Sequence, residues 1–467
     1  MAIAFLPLPD PSHYNVNGLR GLRRQDSAGA YCLPGCTPFL RCRTLQRRLM
    51  VAAGICSLGG LVFGYDLGAL SAASQSLRAQ FSLAPAQFGL TLSSSLWGTV
   101  CGSLLAGACV DKLGRRGLIA GCALLYALAS LCLAVPFTQA WGQVLAMRFV
   151  CGMMIGGFTV GCPLYLAELA PRALRGRFVS LFQVQVGIGV VLAFAAGALL
   201  VHWNPGSGYW RWCLGLGAAP AVALLLLLPL VPGQPQQLAG EDGGQHKEVC
   251  ATQKAGLDDA PHLPRESLFS RKYRRPLLWA TSIAFFNQIS GVNILLLYML
   301  DVLASAGIGD LLRHTYTVWI SGLSLASTLL GLSFIDRLGR KPLLILGSAG
   351  MFACLTGLAM TIPLHMQPVW YLLILGAYNL CFSFSQGIVV WVYLSELFPL
   401  AVRGAGQGYG SSVHWITNAV LISVFPILEH ASPTGTFYWL AVMMVVQIGV
   451  VLFWYPETRG TELGAIA

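Results

Sequence analysis

Twelve apolar runs, most of them twenty residues or longer, constrain this chain more than any other feature. They fall near 51–74, 88–110, 117–136, 141–165, 178–201, 211–232, 277–304, 316–335, 342–362, 369–393, 405–428 and 435–455. A helix needs about 20 apolar residues to cross roughly 30 Å of hydrocarbon, so each run is expected to be a membrane-spanning helix. Spanning strands would show weaker alternating segments of about ten residues. Composition agrees. Of 467 residues, 56% are hydrophobic and only 10% are charged, against about 25% charged in soluble domains. A soluble globular enzyme, a disordered chain and a disulfide-rich secreted module are excluded.

The net charge of +11 does not call for a nucleic-acid partner, because it follows from topology. Basic residues collect on the cytoplasmic side of membrane proteins. Only Arg78, Arg211 and Arg313 fall in the odd-numbered loops, and Arg148 lies inside a span; every other Lys and Arg lies in a tail or an even-numbered loop. Both termini are therefore expected to be cytoplasmic, in a plasma or inner membrane. Residues 1–49, rich in Pro, Gly and Arg with no long apolar run, read as a disordered cytoplasmic tail rather than a signal peptide; Met50 offers an alternative start. The 14 Cys fall mostly within spans, as small packing residues. No cysteine–histidine pattern suggests a metal, and no cofactor or disulfide is expected.

The longest polar stretch, 233–275, reads as a cytoplasmic linker between two halves, 50–232 and 276–456, with a short tail 457–467. The halves repeat each other. After the second span the chain reads Gly107-Ala-Cys-Val-Asp111-Lys-Leu-Gly114-Arg115-Arg116, and after the eighth Ile335-Asp336-Arg337-Leu-Gly339-Arg340-Lys341. After the fourth it reads Tyr165-Leu-Ala-Glu168-Leu-Ala-Pro171-Arg172-Ala-Leu-Arg175-Gly176, and after the tenth Tyr393-Leu-Ser-Glu396-Leu-Phe-Pro399-Leu-Ala-Val-Arg403-Gly404. Glycine permits a tight reversal in each Asp-x-x-Gly-Arg turn. Arginine can grip a carboxylate through two parallel hydrogen bonds. Asp111, Arg115, Glu168 and Arg175, with Asp336, Arg340, Glu396 and Arg403, are the expected cytoplasmic gate. Fixing topology and packing alone is the alternative.

These paired signatures resemble the sugar porter branch of the major facilitator superfamily, over about residues 50–463. Phe63-Gly64-Tyr65-Asp66, Arg148-Phe149-Val150-x-Gly152, Gln288-Ile-Ser-Gly291-Val-Asn293 and Pro456-Glu457-Thr458-Arg459-Gly460 carry further likeness. The resemblance implies an all-α membrane fold of twelve transmembrane helices in two pseudo-symmetric six-helix halves. It also implies alternating access to a central sugar site, with no enzymatic chemistry, and a monomer surrounded by lipid. By motif position the sugar-contacting residues would be Gln183, Asn287, Gln288, Asn293, Trp391, Trp415 and Asn418. Amides both donate to and accept from hydroxyls, and an indole covers the apolar face of a pyranose. Interhelical hydrogen bonding is the alternative for any single amide.

Four departures stand out. Asn287 replaces the first of a glutamine pair. The tenth span reads Ser385-Gln386-Gly387-Ile388-Val389-Val390 without proline, so it should run straight or bend only at Gly387, which makes Gln386 a further candidate sugar contact. His414 stands where glucose carriers tend to have an amide. After the sixth span Pro232-Gly233-Gln234-Pro235-Gln236 lacks the family's Glu and Arg, which predicts a weaker closed gate. Asp66 and Arg148 lie deep in spans, where ionisable groups are functional by default; in the family these positions face each other, and proton-coupled members tend to keep the Asp. Pairing favours the charged carboxylate and burial without the partner favours the neutral one, so a proton could be taken up and released in each cycle. Proton-coupled import of a hexose or pentose, facilitative uniport and a non-transporting sugar sensor remain the open readings.

Overall fold

A computed structural model describes residues 38–135, 140–169, 175–203, 208–231, 267–364, 366–399 and 402–457. Residues 1–37 of the expected tail, most of the expected linker and the segment after the sixth span lie outside the described residues. Residues 38–49, expected to be disordered, instead begin the first helix, because they hold helix formers with no Gly or Pro between Pro38 and Gly54. Every described regular element is helical. The elements are α1 (Pro38–Phe81), α2 (Pro85–Ala134), α3 (Trp141–Leu169), α4 (Arg175–Trp203), α5 (Tyr209–Gly215), α6 (Ala218–Leu227), α7 (Arg274–Ile289), α8 (Val292–Leu297), α9 (Met299–Ser305), α10 (Asp310–Leu338), α11 (Arg340–Thr361), α12 (Pro368–Phe384), α13 (Gln386–Glu396), α14 (Arg403–Ala431) and α15 (Pro433–Trp454). Eleven described helical stretches are long and apolar enough to cross a membrane, so the chain is an integral multi-pass membrane protein. The eighth expected span corresponds to α10, 29 residues long. It is interrupted by polar positions such as Thr317, Ser321, Ser324 and Thr328, and it is not among those eleven.

The second and third expected spans form one continuous element, α2, broken only at Gly114. Gly114 has φ 71° and ψ 159°, and Gly339, its counterpart in the repeat, has φ 91° and ψ 168°. That region of backbone space is essentially closed to side-chain-bearing residues. The same turn chemistry thus yields the same turn geometry twice. The structure uses Gly114 to reverse α2 and Gly339 to start α11.

Two expected spans are broken instead of continuous. The seventh divides into α7 and α8 at Gly291, which has φ 87°, and Tyr298 separates α8 from α9. The tenth divides into α12 and α13 at Ser385, with φ −118° and ψ −88°. The bend therefore lies two residues before Gly387. Its cause is local. The Ser385 hydroxyl donates to the Cys381 carbonyl at 2.6 Å, and a Cβ on Gly347 of α11 would collide with that hydroxyl. Serine back-bonding of this kind bends helices, and the bare glycine leaves room for the bulge.

Close packing depends on small residues, as is usual between membrane helices. A Cβ on Gly64 of α1 would strike the Val186 carbonyl of α4, and one on Gly152 of α3 would strike the Ser95 carbonyl of α2. Substituting Gly114 or Gly339 by alanine should each cost about 1–3 kcal/mol in backbone strain. Gly449→Ala, where a Cβ meets nothing within 4 Å, should leave stability unchanged or slightly raised. Thermal unfolding in detergent checks the contrast.

Candidate functional site

Asp66 sits near the middle of the Leu49–Phe81 span and is buried together with Arg148 of α3. The two form a fork. Arg148 Nη1 donates to Asp66 Oδ1 at 2.6 Å and Nη2 donates to Oδ2 at 2.8 Å. Sequence position suggested the pair but could not establish contact; the structure brings the two together. Two residues that the sequence analysis did not single out complete the cluster. Ser95 of α2 accepts from Arg148 Nη2 at 2.9 Å, and the Tyr126 hydroxyl of α2 donates to Asp66 Oδ1 at 2.9 Å. The packing of Gly152 on Ser95, one turn from Arg148, brings α3 close enough to α2 for this. A lone buried tyrosine in a span was the only signal for Tyr126.

A cavity of about 170 Å³ lies between α1, α4, α7, α8, α10, α12, α13 and α14. Gln183, Asn287, Gln288, Asn293, Trp391 and Trp415 all line it, and so does His414. Asn293 Nδ2 donates to Gln288 Oε1 at 2.8 Å. Gln288 Nε2 donates to Asn287 Oδ1 at 3.2 Å and lies 2.8 Å from His414 Nε2. An amide nitrogen only donates, so the facing imidazole nitrogen accepts. The His414 ring also lies between two indoles, 4.9 Å from the Trp391 ring and 5.1 Å from that of Trp415. Phe63 of α1 meets Trp415 edge-on at 5.5 Å.

Two sequence candidates lie elsewhere. Gln386 is turned away by the break at Ser385; its amide nitrogen bonds Gln447 Oε1 at 2.7 Å and Ser348 Oγ at 3.2 Å. Its backbone carbonyl accepts from Asn287 instead, at 3.3 Å. Asn418 is buried without a partner for either side-chain polar atom and does not line the cavity.

At the end carrying the glycine turns, Arg115 Nε donates to Glu168 at 3.0 Å. Arg340 grips Glu396 through Nε at 3.2 Å and Nη2 at 2.8 Å. Both pairs join elements within one repeat, α2 to α3 and α11 to α13. The side chains of Asp111, Arg175, Asp336 and Arg403 lie outside the described atoms. Glu457, in the C-terminal motif, caps α11, accepting from the backbone nitrogens of Arg340 and Lys341 at 3.0 and 2.9 Å.

At the opposite end, contacts cross between the repeats. Ser71 donates to the Leu296 carbonyl at 2.7 Å. Ser423 of α14 donates to Ser93 of α2 at 2.8 Å, and Trp97 Nε1 lies 3.4 Å from the same Ser423 hydroxyl.

A family model described as "Sugar (and other) transporter" matches residues 52–467. The chain belongs to this sugar transporter family. Within that transporter family, it is 30% identical over 430 residues to the glucose transporter GlcP of Staphylococcus epidermidis, covering 88% of this chain and 94% of the relative. It is 28% identical over 457 residues to the D-xylose-proton symporter of Escherichia coli, covering 88% and 93%. The solved inward-open structure of the xylose transporter XylE from E. coli superposes with a TM-score of 0.79 at 25% identity, covering 90% of this chain and 99% of that one. The chain thus has the major facilitator fold.

Removing one partner of a buried ion pair strands the other charge, at about 3–5 kcal/mol. Arg148→Ala should therefore lower the thermal unfolding midpoint more than Arg115→Ala, whose pair is about one-third exposed and worth about 0–1 kcal/mol.

Proposed function

We propose that this protein imports a monosaccharide together with a proton by alternating access. The observation that carries the reading is the buried Asp66–Arg148 fork. A carboxylate in the interior of a membrane protein is expensive, and a fork that only tied two helices together could be replaced by apolar packing at little loss. Its value lies in being breakable. When the helices shift, Asp66 loses its counter-ion, the neutral acid becomes the favoured form, and a proton enters. When the fork re-forms, the proton leaves. Tyr126 and Ser95 hold the two groups in register.

The sugar belongs in the cavity lined by Gln183, Asn287, Gln288, Asn293, Trp391 and Trp415. The amide chain from Asn293 through Gln288 to His414 is preorganised, and its members can exchange one another for sugar hydroxyls. The indoles of Trp391 and Trp415 supply the flat apolar wall. That relatives are named a glucose transporter and a D-xylose-proton symporter supports both the cargo class and the coupling. The seam between Ser71 and Leu296 faces outside, and the glycine turns face the cytoplasm, as the arginine distribution requires. Arg115–Glu168 and Arg340–Glu396 brace each half, and by motif position Asp111, Arg175, Asp336 and Arg403 belong to the same cytoplasmic gate. In this reading the halves are 50–232 and 276–456, joined by 233–275, and the protein works as a monomer in the plasma or inner membrane with both termini cytoplasmic.

Uptake of labelled D-glucose and D-xylose into proteoliposomes tests this. Native protein should accumulate a sugar above equilibrium only under an inward proton gradient, and Asp66→Asn should equilibrate it without accumulation. Gradient-independent native uptake would make the protein a uniporter, and binding without uptake would make it a sensor. Gln288→Ala should weaken sugar binding by roughly two- to tenfold for each hydrogen bond lost, since each is worth about 0.5–1.5 kcal/mol and about 1.4 kcal/mol is tenfold.

A further inference from the structure

A second acidic side chain, half-buried with one carboxylate oxygen fully enclosed, lies at the seam that faces outside. The long apolar helical stretch of the seventh span ends at Leu297, seven residues short of the run expected from the sequence; Tyr298 breaks the helix, and α9 carries Asp301 past that break. Asp301 Oδ1 accepts one long hydrogen bond, 3.4 Å, from Gln75 Nε2 of α1. Its other oxygen, Oδ2, is buried with no hydrogen-bond partner. An ionised carboxylate offers about four acceptor sites, and this one has a single weak taker. The bond links α1 in the first half to α9 in the second, beside the Ser71 bond to Leu296. When the seam parts, Asp301 loses Gln75 and meets water.

The surroundings do not neutralise it. Arg78 of α1 and Arg313 of α10 attract its negative charge, and Glu429 of α14 repels it. Arg78 is also stacked 5.1 Å from the Phe88 ring, and Arg313 is engaged by Asp310. The Tyr298 hydroxyl is spent on the Ile422 carbonyl. His314 Nδ1 faces the Asp310 carbonyl at 2.9 Å, and Tyr209 of α5 lies within range of both Asp301 and Arg313. Burial outweighs the rest: with the seam shut it pushes the Asp301 carboxyl up from 3.8 to about 6, against the Gln75 bond and Arg78.

We propose that Asp301 is a proton-operated latch on the outer seam, protonated when α1 closes against α8 and α9 and ionised when they separate. The sign follows from linkage. The shut seam binds the proton more tightly, so acid favours it. The effect is complete below the open-state value near 3.8, falls away as pH rises through about 6, and is absent above. A shift of about two units caps the bias at roughly 100-fold. External acid would thus shut the outer seam independently of the proton carried at Asp66, and the inference rests neither on the cargo nor on coupling.

Hydrogen–deuterium exchange on the full chain in lipid nanodiscs, corrected for the intrinsic pH dependence of exchange, tests it. Segments 69–82 and 296–306 should be better protected at about pH 5 than at about pH 7.5, because local opening sets amide exchange. Asp301→Asn should protect them equally at both. Glu429→Gln, an exposed substitution that removes the repelling charge, should keep the step and move it to lower pH. No step in the native protein overturns the latch. So does a step that survives Asp301→Asn, or one that Glu429→Gln abolishes. None of these results bears on whether sugar is moved, so the latch and the transport reading fail separately.

Discussion

A carboxylate and a guanidinium locked together inside the bilayer-spanning bundle set the terms for everything around them. Leaving either charge unpaired there would cost several kcal/mol even after relaxation. The fork geometry, two bonds of 2.6 and 2.8 Å, recovers that cost only if the supporting helices hold still. Small residues make this possible. Gly152 lets α3 lie against the Ser95 backbone and Gly64 lets α1 lie against α4. The ion pair is therefore a property of the packing of α1, α2, α3 and α4 as much as of two side chains.

The cavity proposed for sugar follows the opposite design. Its walls come from broken helices, and irregular backbone within a membrane is tolerated where it is buried in protein or lines a cavity. Gly291 ends α7 just past Gln288 and lets α8 present Asn293 to it across the break. Ser385 ends α12 and swings Gln386 out of the cavity, leaving the Gln386 carbonyl as the acceptor for Asn287. One half supplies the tightly held ion pair and the other supplies most of the adaptable amides. In the proposed cycle, coupling between proton and sugar is the movement of one half against the other, with contacts such as Phe63–Trp415 in the path.

Much of this was legible from residues. The apolar runs gave the spans because hydrocarbon thickness leaves few alternatives, and the doubled Asp-x-x-Gly-Arg turn gave the repeat. Its glycines adopt matching conformations because no other residue can. What was not legible depended on tertiary neighbours. The bend at Ser385 needed the space over Gly347, which lies in another helix. Gln386 was expected in the cavity because a straight helix would point it there. Tyr126 and Ser95 carried no motif, and only the packing of α2 on α1 and α3 assigns them to Asp66. Glu457 belonged to a recognised ending, yet its capping of α11 required knowing that the chain returns to that helix.

In the proposed cycle the single carboxylate at the fork carries one proton for each sugar moved. The most direct measurement is the reversal condition of transport in proteoliposomes holding known sugar and proton gradients. The account predicts that net flux vanishes when the proton gradient balances the sugar gradient one for one. A flux that vanishes only when the sugar concentrations are equal on both sides, whatever the proton gradient, would contradict it.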